Sequence, residues 1–413
     1  MYNLHLTPEQ IEIRDTVRDF AMREVRPVVL KSDRLDLRDR TLPTQLLDEA
    51  SQMGLRALAL SDAAGGSGAD HLTCCLVAEE LAAADADFAA VLAETAWLAH
   101  LLFDQAMTDA QREKHLPKFL DDHRCHLAFA GYEASVDTHL GVNYHRPAQA
   151  DAVPTTTAVK ATSGEWVING TKDWVANAPI AGLFAVLVQM PGRHAPGVLL
   201  VPAGTAGLEV RAHDKPWRHG ASGAVTFRDC KVPAENLLKD ETAALLTGAA
   251  AAGRGIPLAQ AINVGIARAA YEAALDYARL RVQGGRPIIE HQAIATKLAD
   301  IAIRLEVARA AVWGAAWASD HPAAFADRSL PDLPLQTVAQ VFVSETLHKA
   351  VRDAAELFGA MGVMRDMPLQ KYVHDALVCM HGGVSNGDAR LRIAEGLAGF
   401  RRSGNGAQVA AAE

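Results

Sequence analysis

The strongest constraint on the fold is a change of hydrophobic period. Apolar residues recur three and four apart up to about Leu120, alternate between about Cys125 and Val232, and return to helical spacing beyond Pro233-Ala234-Glu235-Asn236. In the first stretch Thr7 caps a helix with Pro8 at its first position and Gln10 three residues after the cap, a capping-box arrangement. Ile11, Ile13, Val17, Phe20, Ala21 and Val25 then form one apolar face, and Leu46 to Leu60, Leu72 to Ala84 and Ala82 to Leu102 also read as helices. Asp62-Ala63-Ala64-Gly65-Gly66-Ser67-Gly68 reads as a connector. In the middle stretch Trp166 to Lys172 runs an apolar segment into an Asn169-Gly170 turn, which predicts a hairpin. Leu183 to Gln189, Gly197 to Val201, Leu208 to Arg211 and Ala224 to Phe227 read as further short strands, giving a β-domain of barrel or sandwich type. The Ala-rich run from Ala249 to Ala261 opens the last helical part, whose long apolar stripes suit a bundle and packing between subunits. The organisation expected is therefore α+β: a helical domain over 1–124, a β-domain over 125–238, a helical bundle over 239–402, and a small polar tail over 403–413 that reads as disordered.

A chain of 413 residues, half of them apolar, can bury a large core or several smaller ones. Its formal net charge of -9 leaves no basic excess for a phosphate backbone, and no Lys/Arg run is long enough to track nucleic acid. No apolar run reads as membrane-spanning, and the N-terminus goes straight into a helix start, so a soluble, cytoplasmic protein is expected. Cys74, Cys75, Cys125, Cys230 and Cys379 have no metal-ligand spacing and read as reduced, mostly buried thiols. A catalytic role stays open for Cys379, beside a glycine-rich segment. The sixteen His residues are scattered, so no metal site is expected.

Between Tyr271 and Leu305 two helical runs meet at Arg281, Gly284, Gly285, Pro287, Glu290, His291 and Gln292. This reads as a hinge. The glycines would let backbone approach an anion, and the Arg281 guanidinium suits a pyrophosphate; a plain helix corner with a solvated Arg is the other reading.

Three stretches resemble the acyl-CoA dehydrogenase family of flavoproteins. Arg281-x-x-Gly284-Gly285-x-Pro287-Ile288 followed by His291-Gln292 is similar to that family's R-x-x-F-G-x-P-I hinge, with Gly284 in place of Phe. Glu356-x-x-Gly359-Ala360-x-Gly362-Val363-x-x-Asp366, continuing to Lys371 and Asp375, keeps the family's C-terminal spacing. Phe227-Arg228-Asp229 leading into Val232-Pro233-Ala234-Glu235-Asn236-Leu237 resembles the exit strand of its β-domain. The resemblance covers nearly the whole chain. It implies a helical domain, a β-domain and a four-helix bundle, with FAD between β-domain and bundle and the hinge of a neighbouring subunit reaching the cofactor's pyrophosphate half. It implies a homo-oligomer, a dimer or tetramer, acting on acyl-CoA or a related acyl thioester, with electron-transfer flavoprotein or another acceptor. By match, Arg281, Gly284, Glu356, Gly359 and Gly362 would face the pyrophosphate side. Tyr132, Trp174, Val175, Ala176 and Ser385 would lie against the flavin, with Trp174 covering it or else serving as plain core. Arg254, His381 and Gly382 would line the substrate.

The departures bear on the chemistry. The family's carboxylate base falls at Gly382 here, and the alternative position on the first bundle helix, near Gly253-Arg254-Gly255, is also glycine. The family's T-E-P-G-A-G-S-D loop reads Tyr132-Glu133-Ala134-Ser135-Val136-Asp137-Thr138, and Ala176 replaces a hydroxyl donor. His381, beside the vacant position, and Glu94, on the helix from Ala82 to Leu102, are the candidate substitutes; a space-filling His and a solvated Glu are the alternatives. Three functions remain: an α,β-dehydrogenase with a displaced base, a redox-neutral desulfinase-like flavoprotein or lyase, and a base-less subunit of a heteromeric dehydrogenase.

Overall fold

The computed structural model describes residues 5–31, 35, 40–133, 154–193, 195–213, 218–247, 249–364, 366–381 and 385–397. The chain opens with α1 (Pro8–Phe20), a π-helical turn (Ala21–Val25) and α2 (Arg26–Val29). Thr7 caps α1 as its sequence predicts, its hydroxyl accepting from the Gln10 amide at 3.1 Å while the Gln10 side chain accepts from the Thr7 N–H at 3.0 Å. The run from Leu46 is shorter than expected. α3 (Thr44–Gln52) stops before Gly54, whose φ of +85° turns the chain into a 3₁₀ segment. Asp85 likewise breaks the expected helix from Ala82 to Leu102. It is extended (φ -154°, ψ 124°), and its side chain accepts from the Phe88 N–H, so α4 (His71–Ala84) and α5 (Ala86–Ala99) are separate helices. α5 runs on through a π-helical stretch (His100–Ala106) to α6 (Asp109–Asp121).

Contrary to the sequence reading, one helix is long and apolar enough to cross a membrane. Ala86–Ala106 has a mean hydropathy of 1.3, but 67% of that stretch is buried inside the protein, where a core helix needs the same composition.

The β-domain contains β1 (His126–Ala130), β2 (Thr157–Lys160), β3 (Trp166–Ala176), β4 (Ala181–Val188), β5 (Gly197–Pro202), β6 (Leu208–Ala212) and β7 (Ser222–Val232). They form a three-stranded sheet, β1-β4-β5, and a four-stranded sheet, β2-β3-β7-β6. Phe184, Val186 and Val188 of the first meet Ile168, Val225 and Phe227 of the second, a sandwich core. The Asn169-Gly170 hairpin is not formed. Gly170 lies inside β3 with φ +139°, at a bulge where the β7 register shifts, and a Cβ there would press on Thr156 at 2.7 Å. The Asn169 side chain accepts from the Asp229 N–H (2.8 Å) and donates to its carboxylate (3.1 Å), so the dipeptide stitches two strands instead of reversing one.

After α7 (Thr242–Thr247) come α8 (Ala249–Leu280), the two-residue strands β8 (Val282–Gln283) and β9 (Arg286–Pro287), α9 (Gln292–Asp320), α10 (Ala323–Ala326), α11 (Leu335–Leu357), α12 (Leu369–His381) and α13 (Asn386–Leu397). The first and last helical parts share one core, in which every residue of α4 is buried and packs chiefly on α8. Gly265 permits that approach, since a Cβ would lie 2.8 Å from the Ala82 Cβ. Glu79 and Glu80 enter this interface paired: Glu80 with Arg18 (2.7 Å) and Arg268 (2.5 Å), Glu79 with Arg309 (2.9 Å).

Candidate active site

The end of β3 is built to hold an aromatic ring outside the sandwich. Its register against β7 shifts between Lys172 and Val175, so Asp173 and Trp174 leave the ladder. Trp174 takes φ +50°, which a bulky residue adopts only when its surroundings enforce it. Here His213 packs at a tilt of 46° against the half-buried indole (ring centroids 4.2 Å apart) and is itself held by Asp173 (2.9 Å) and Ser222 (3.2 Å). Val175 points into the core and Ala176 is half-buried. Asn177, also left-handed, donates from its buried amide to Val91 O, Thr95 Oγ1 and Leu127 O, anchoring this strand end to α5 and β1.

Tyr132 and Glu133 follow β1. Tyr132 O accepts from the Asp173 N–H at 3.0 Å, which ties this segment to the Trp174 bulge. Glu133 is buried and takes the Lys172 ammonium (2.6 Å), both the N–H (2.7 Å) and hydroxyl (2.5 Å) of Thr155, and the Thr156 N–H (3.0 Å). Burial alone would raise this carboxyl, but the bonds from Lys172, Thr155 and Thr156 outweigh it and bring its pKa to about 2. Residues 134–153, which carry most of the rewritten loop, lie outside the described residues.

α5 serves two surroundings. Leu92, Ala93, Ala96 and Trp97 line a small apolar cavity of about 20 Å³ shared with α4 and Leu258 of α8. One position on from Ala93, half-buried Glu94 lies within electrostatic reach of Arg218, which also interacts with Tyr132. Burial pushes Glu94 above the usual carboxylate range, and the Arg218 charge pulls it part of the way back. Gly220, two residues after Arg218, rests on α5. Its N–H donates to Asp87 (3.0 Å), and a Cβ would sit 3.4 Å from Ala90, so Arg218 is carried over the same helix.

The remaining sequence-derived residues lie on the bundle. Gly284 (φ +61°) and Gly285 (φ +81°) form the two-residue turn of the β8/β9 hairpin, since both central positions of such a turn must be left-handed. Arg281 precedes it, exposed, with no carboxylate within 4 Å among the described residues. Glu356 on α11 is exposed and paired with Lys297 at 2.7 Å, which offsets its charge. Gly359 is left-handed (φ +57°), and a Cβ on Gly362 would overlap the Ala355 carbonyl. Ser385 caps α13, accepting from the Asp388 N–H at 3.1 Å. His381 ends α12, exposed, near His348, whose pKa is lowered chiefly by burial and then by Arg352. Gly382 and the Arg254 side chain lie outside the described residues.

Glu94, Tyr132 and Trp174 are thus gathered around one region of the α5/β-domain contact, while Arg281, Glu356, Gly359 and Gly362 belong to the bundle. The sequence reading missed His213 and Arg218. Both lie just ahead of β7 in a polar stretch of the sequence that carries no motif.

The acyl-CoA dehydrogenase N-terminal, middle and C-terminal domain families match residues 7–123, 148–230 and 251–398. An acyl-CoA dehydrogenase of Bacillus subtilis (strain 168) is 30% identical over 404 residues, 96% of this chain and 100% of its own length. The short-chain specific acyl-CoA dehydrogenase of Mus musculus mitochondria is 28% identical over 91% of this chain and 88% of its own. Among solved structures, butyryl-CoA dehydrogenase from Megasphaera elsdenii superposes with a TM-score of 0.79 at 26% identity, over 96% of this chain and 100% of that one.

Proposed function

The chain belongs to the acyl-CoA dehydrogenase family, and on that premise we propose that it is an FAD-dependent α,β-dehydrogenase of acyl thioesters whose base is Glu94. The observation that carries the choice of base is a half-buried carboxylate with a raised pKa, within electrostatic reach of Arg218, which also interacts with Tyr132 beside the Trp174 bulge. A base needs a pKa high enough to compete for a carbon acid's proton and low enough to be ionised at working pH, and burial against Arg218 moves Glu94 toward that window. Its Oε atoms would take the α-proton of the bound thioester. His381 is the second candidate, with less support, because it is exposed at the end of α12.

The described residues suit FAD. Trp174 offers a flat ring fixed by His213, and Arg281 offers a forked donor beside a glycine turn that lets backbone approach a pyrophosphate. When bound, FAD supplies the acceptor for the β-hydride. Leu280 (81% exposed), Val282 (58%) and Val363 (71%) leave apolar surface next to the hinge and the Gly359–Val363 turn, which supports a homo-oligomer in which this surface is shared between copies. An acyl-CoA substrate and an electron-transfer flavoprotein acceptor are proposed with it.

The test is a pair of variants assayed with acyl-CoA thioesters. Glu94→Gln is expected to lose about a hundred- to ten-thousand-fold in turnover while keeping its flavin spectrum, and His381→Gln to stay within a few-fold of wild type. Full turnover in Glu94→Gln would remove Glu94 as the base.

A further inference from the structure

His219, in the β-domain segment entering β7, bonds to both helical parts of the chain. Its Nδ1 lies 3.1 Å from the carboxylate of Asp87 on α5, and its Nε2 lies 2.9 Å from the main-chain carbonyl of Asp375 on α12. Both partners only accept, and a neutral imidazole has one N–H, so making both bonds requires the imidazolium. Asp87 accepts as a carboxylate: burial would raise it, but the bond and charge of His219 outweigh that and hold it below its ordinary value. The His219 side chain is 10% exposed, which leaves little room for water to take the place of either partner.

The charges around the ring lead to the same protonation state. Asp85 caps α5, Asp87 lies in its first turn, and Asp375 lies on α12. Against these three carboxylates stand Lys371, paired with Asp375 (2.6 Å) and Asp85 (3.1 Å), and Arg40, paired with Asp375 (2.8 Å). His219 is the third cation, and without its proton the cluster keeps one uncompensated negative charge. His374 and Cys379 on α12 and Arg218, next in the chain, also lie about this cluster. Burial opposes a charged ring, Cys379 and Asp87 favour it, and His219 stands well above its ordinary value.

The segment that His219 holds bears on the candidate site. Asp87 and Glu94 are seven residues apart and so share one face of α5, and Gly220 rests between them, where a Cβ would sit 3.4 Å from Ala90 and 3.5 Å from Val91. The Ala221 carbonyl accepts from the N–H of Asn177, three residues after Trp174, at 2.6 Å. Ser222 holds His213, which packs on the Trp174 indole. Residues 219–222 therefore run from the helix that carries Glu94 to the strand end that carries Trp174.

We propose that His219 is a positioning residue: as an imidazolium shared between Asp87 and Asp375 it clasps the β-domain to both helical parts and fixes the spacing between Glu94 and the Trp174 strand end. The proposal rests on the dehydrogenase reading above. Loss of the proton leaves one N–H for two acceptors, so one bond is given up and the segment is held from one side only. Because the folded pKa is raised, the clasp is complete below the ordinary histidine value of about 6.5, persists above it, and opens as pH climbs through the folded value.

The experiment labels the histidines of the purified full-length protein isotopically and reads their ring nitrogens by NMR at about pH 8.5, where an ordinary imidazole is about 99% neutral. A ring with both nitrogens protonated is expected in the wild type, and is absent from His219→Gln and His219→Arg. Turnover of acyl-CoA thioesters by the FAD-loaded protein is then measured at saturating substrate. His219→Gln is expected to lose about tenfold or more in kcat, since misplacement by about 1 Å costs up to about a hundredfold. His219→Arg, a permanent cation, is expected to stay within a few-fold of wild type. A role in stability alone would lower the melting temperature of His219→Gln and leave its kcat intact. No doubly protonated ring assignable to His219 at about pH 8.5, or a folded His219→Gln with wild-type kcat, overturns the proposal. Should His219→Gln fail to fold, His219→Arg decides: folding with turnover within a few-fold of wild type supports the clasp, and loss of either refutes it. A wild type that turns over no thioester fails the dehydrogenase reading instead, and the NMR signal then decides the clasp by itself.

Discussion

Replacing Lys172 by Met removes one partner of a fully buried ion pair and leaves the other in place. Glu133 keeps its three bonds from Thr155 and Thr156 but loses the ammonium at 2.6 Å, and neither group has access to water, at 0% and 1% side-chain exposure. The size of the effect follows from linkage. A carboxyl brought from about 4.3 when unfolded to about 2 when folded contributes about 3 kcal/mol of stability at neutral pH, and the bond from Lys172 heads the causes that lower it. The lysine's own pKa is lowered, because burial outweighs the attraction of Glu133, so its desolvation offsets part of that gain. Breaking such a pair from one side costs about 3–5 kcal/mol, since the remaining charge stays buried. Lys172→Met is therefore expected to lower stability in urea at pH 7.5 by about 3 kcal/mol, and Lys172→Met/Glu133→Gln to recover at least about 1 kcal/mol of it. The sign of the pH effect is fixed. A depressed carboxyl stabilises above its unfolded value and loses that contribution as pH falls from about 4.3 toward about 2, so wild type and Lys172→Met converge in acid. A loss under about 1 kcal/mol at pH 7.5, or a gap between the two that widens in acid, would refute the reasoning.

Other perturbations probe separate parts of the account. Arg218→Met removes the charge that holds Glu94 down, so the acid limb of the turnover-pH profile should move to higher pH; a limb that stays in place would detach Arg218 from the site. Glu94→Gln should raise the melting temperature of the protein near neutral pH, because a carboxyl with a raised folded pKa loses stability as pH climbs through that value; an unchanged or lower melting temperature would contradict its burial. Gly265→Ala, placing a methyl 2.8 Å from the Ala82 Cβ, should cost about 1–3 kcal/mol in thermal unfolding, and a neutral result would mean that α4 and α8 can part without loss. Arg281→Gln should weaken FAD retention on gel filtration by about tenfold or more without altering the melting temperature of the apoprotein, and full retention would move the pyrophosphate contact elsewhere.

Local signals in the sequence were legible wherever the physics is local. Thr7 and Gln10 sit three residues apart and close their capping box within one turn, and Leu183 to Gln189 and Gly197 to Val201 are short, nearly continuous apolar runs that form β4 and β5, buried along almost their whole length. Asn169-Gly170 misled because the same left-handed tolerance that suits a hairpin turn also suits a bulge, and the choice was made by Asp229, 60 residues away. β2 could not be read at all, since only Ala158 of its four residues is buried. Nor could the shared core of the outer helical parts be seen, because it depends on Glu79 and Arg309 meeting across 230 positions. Around the candidate site, Trp174 and Arg281 were singled out by the motifs around them, whereas the contact of His213 with Trp174, the charge of Arg218 beside Glu94 and the pairing of His219 with Asp87 join segments that carry no motif.

The central claim is tested most directly by adding a panel of acyl-CoA thioesters to the flavin-loaded protein without oxygen and following the flavin absorbance. The account predicts that at least one thioester bleaches the flavin in wild type and that the bleaching slows by about a hundredfold or more in Glu94→Gln. A bound flavin that no thioester bleaches while the thioester is consumed would contradict it, and would point to redox-neutral chemistry on the same fold.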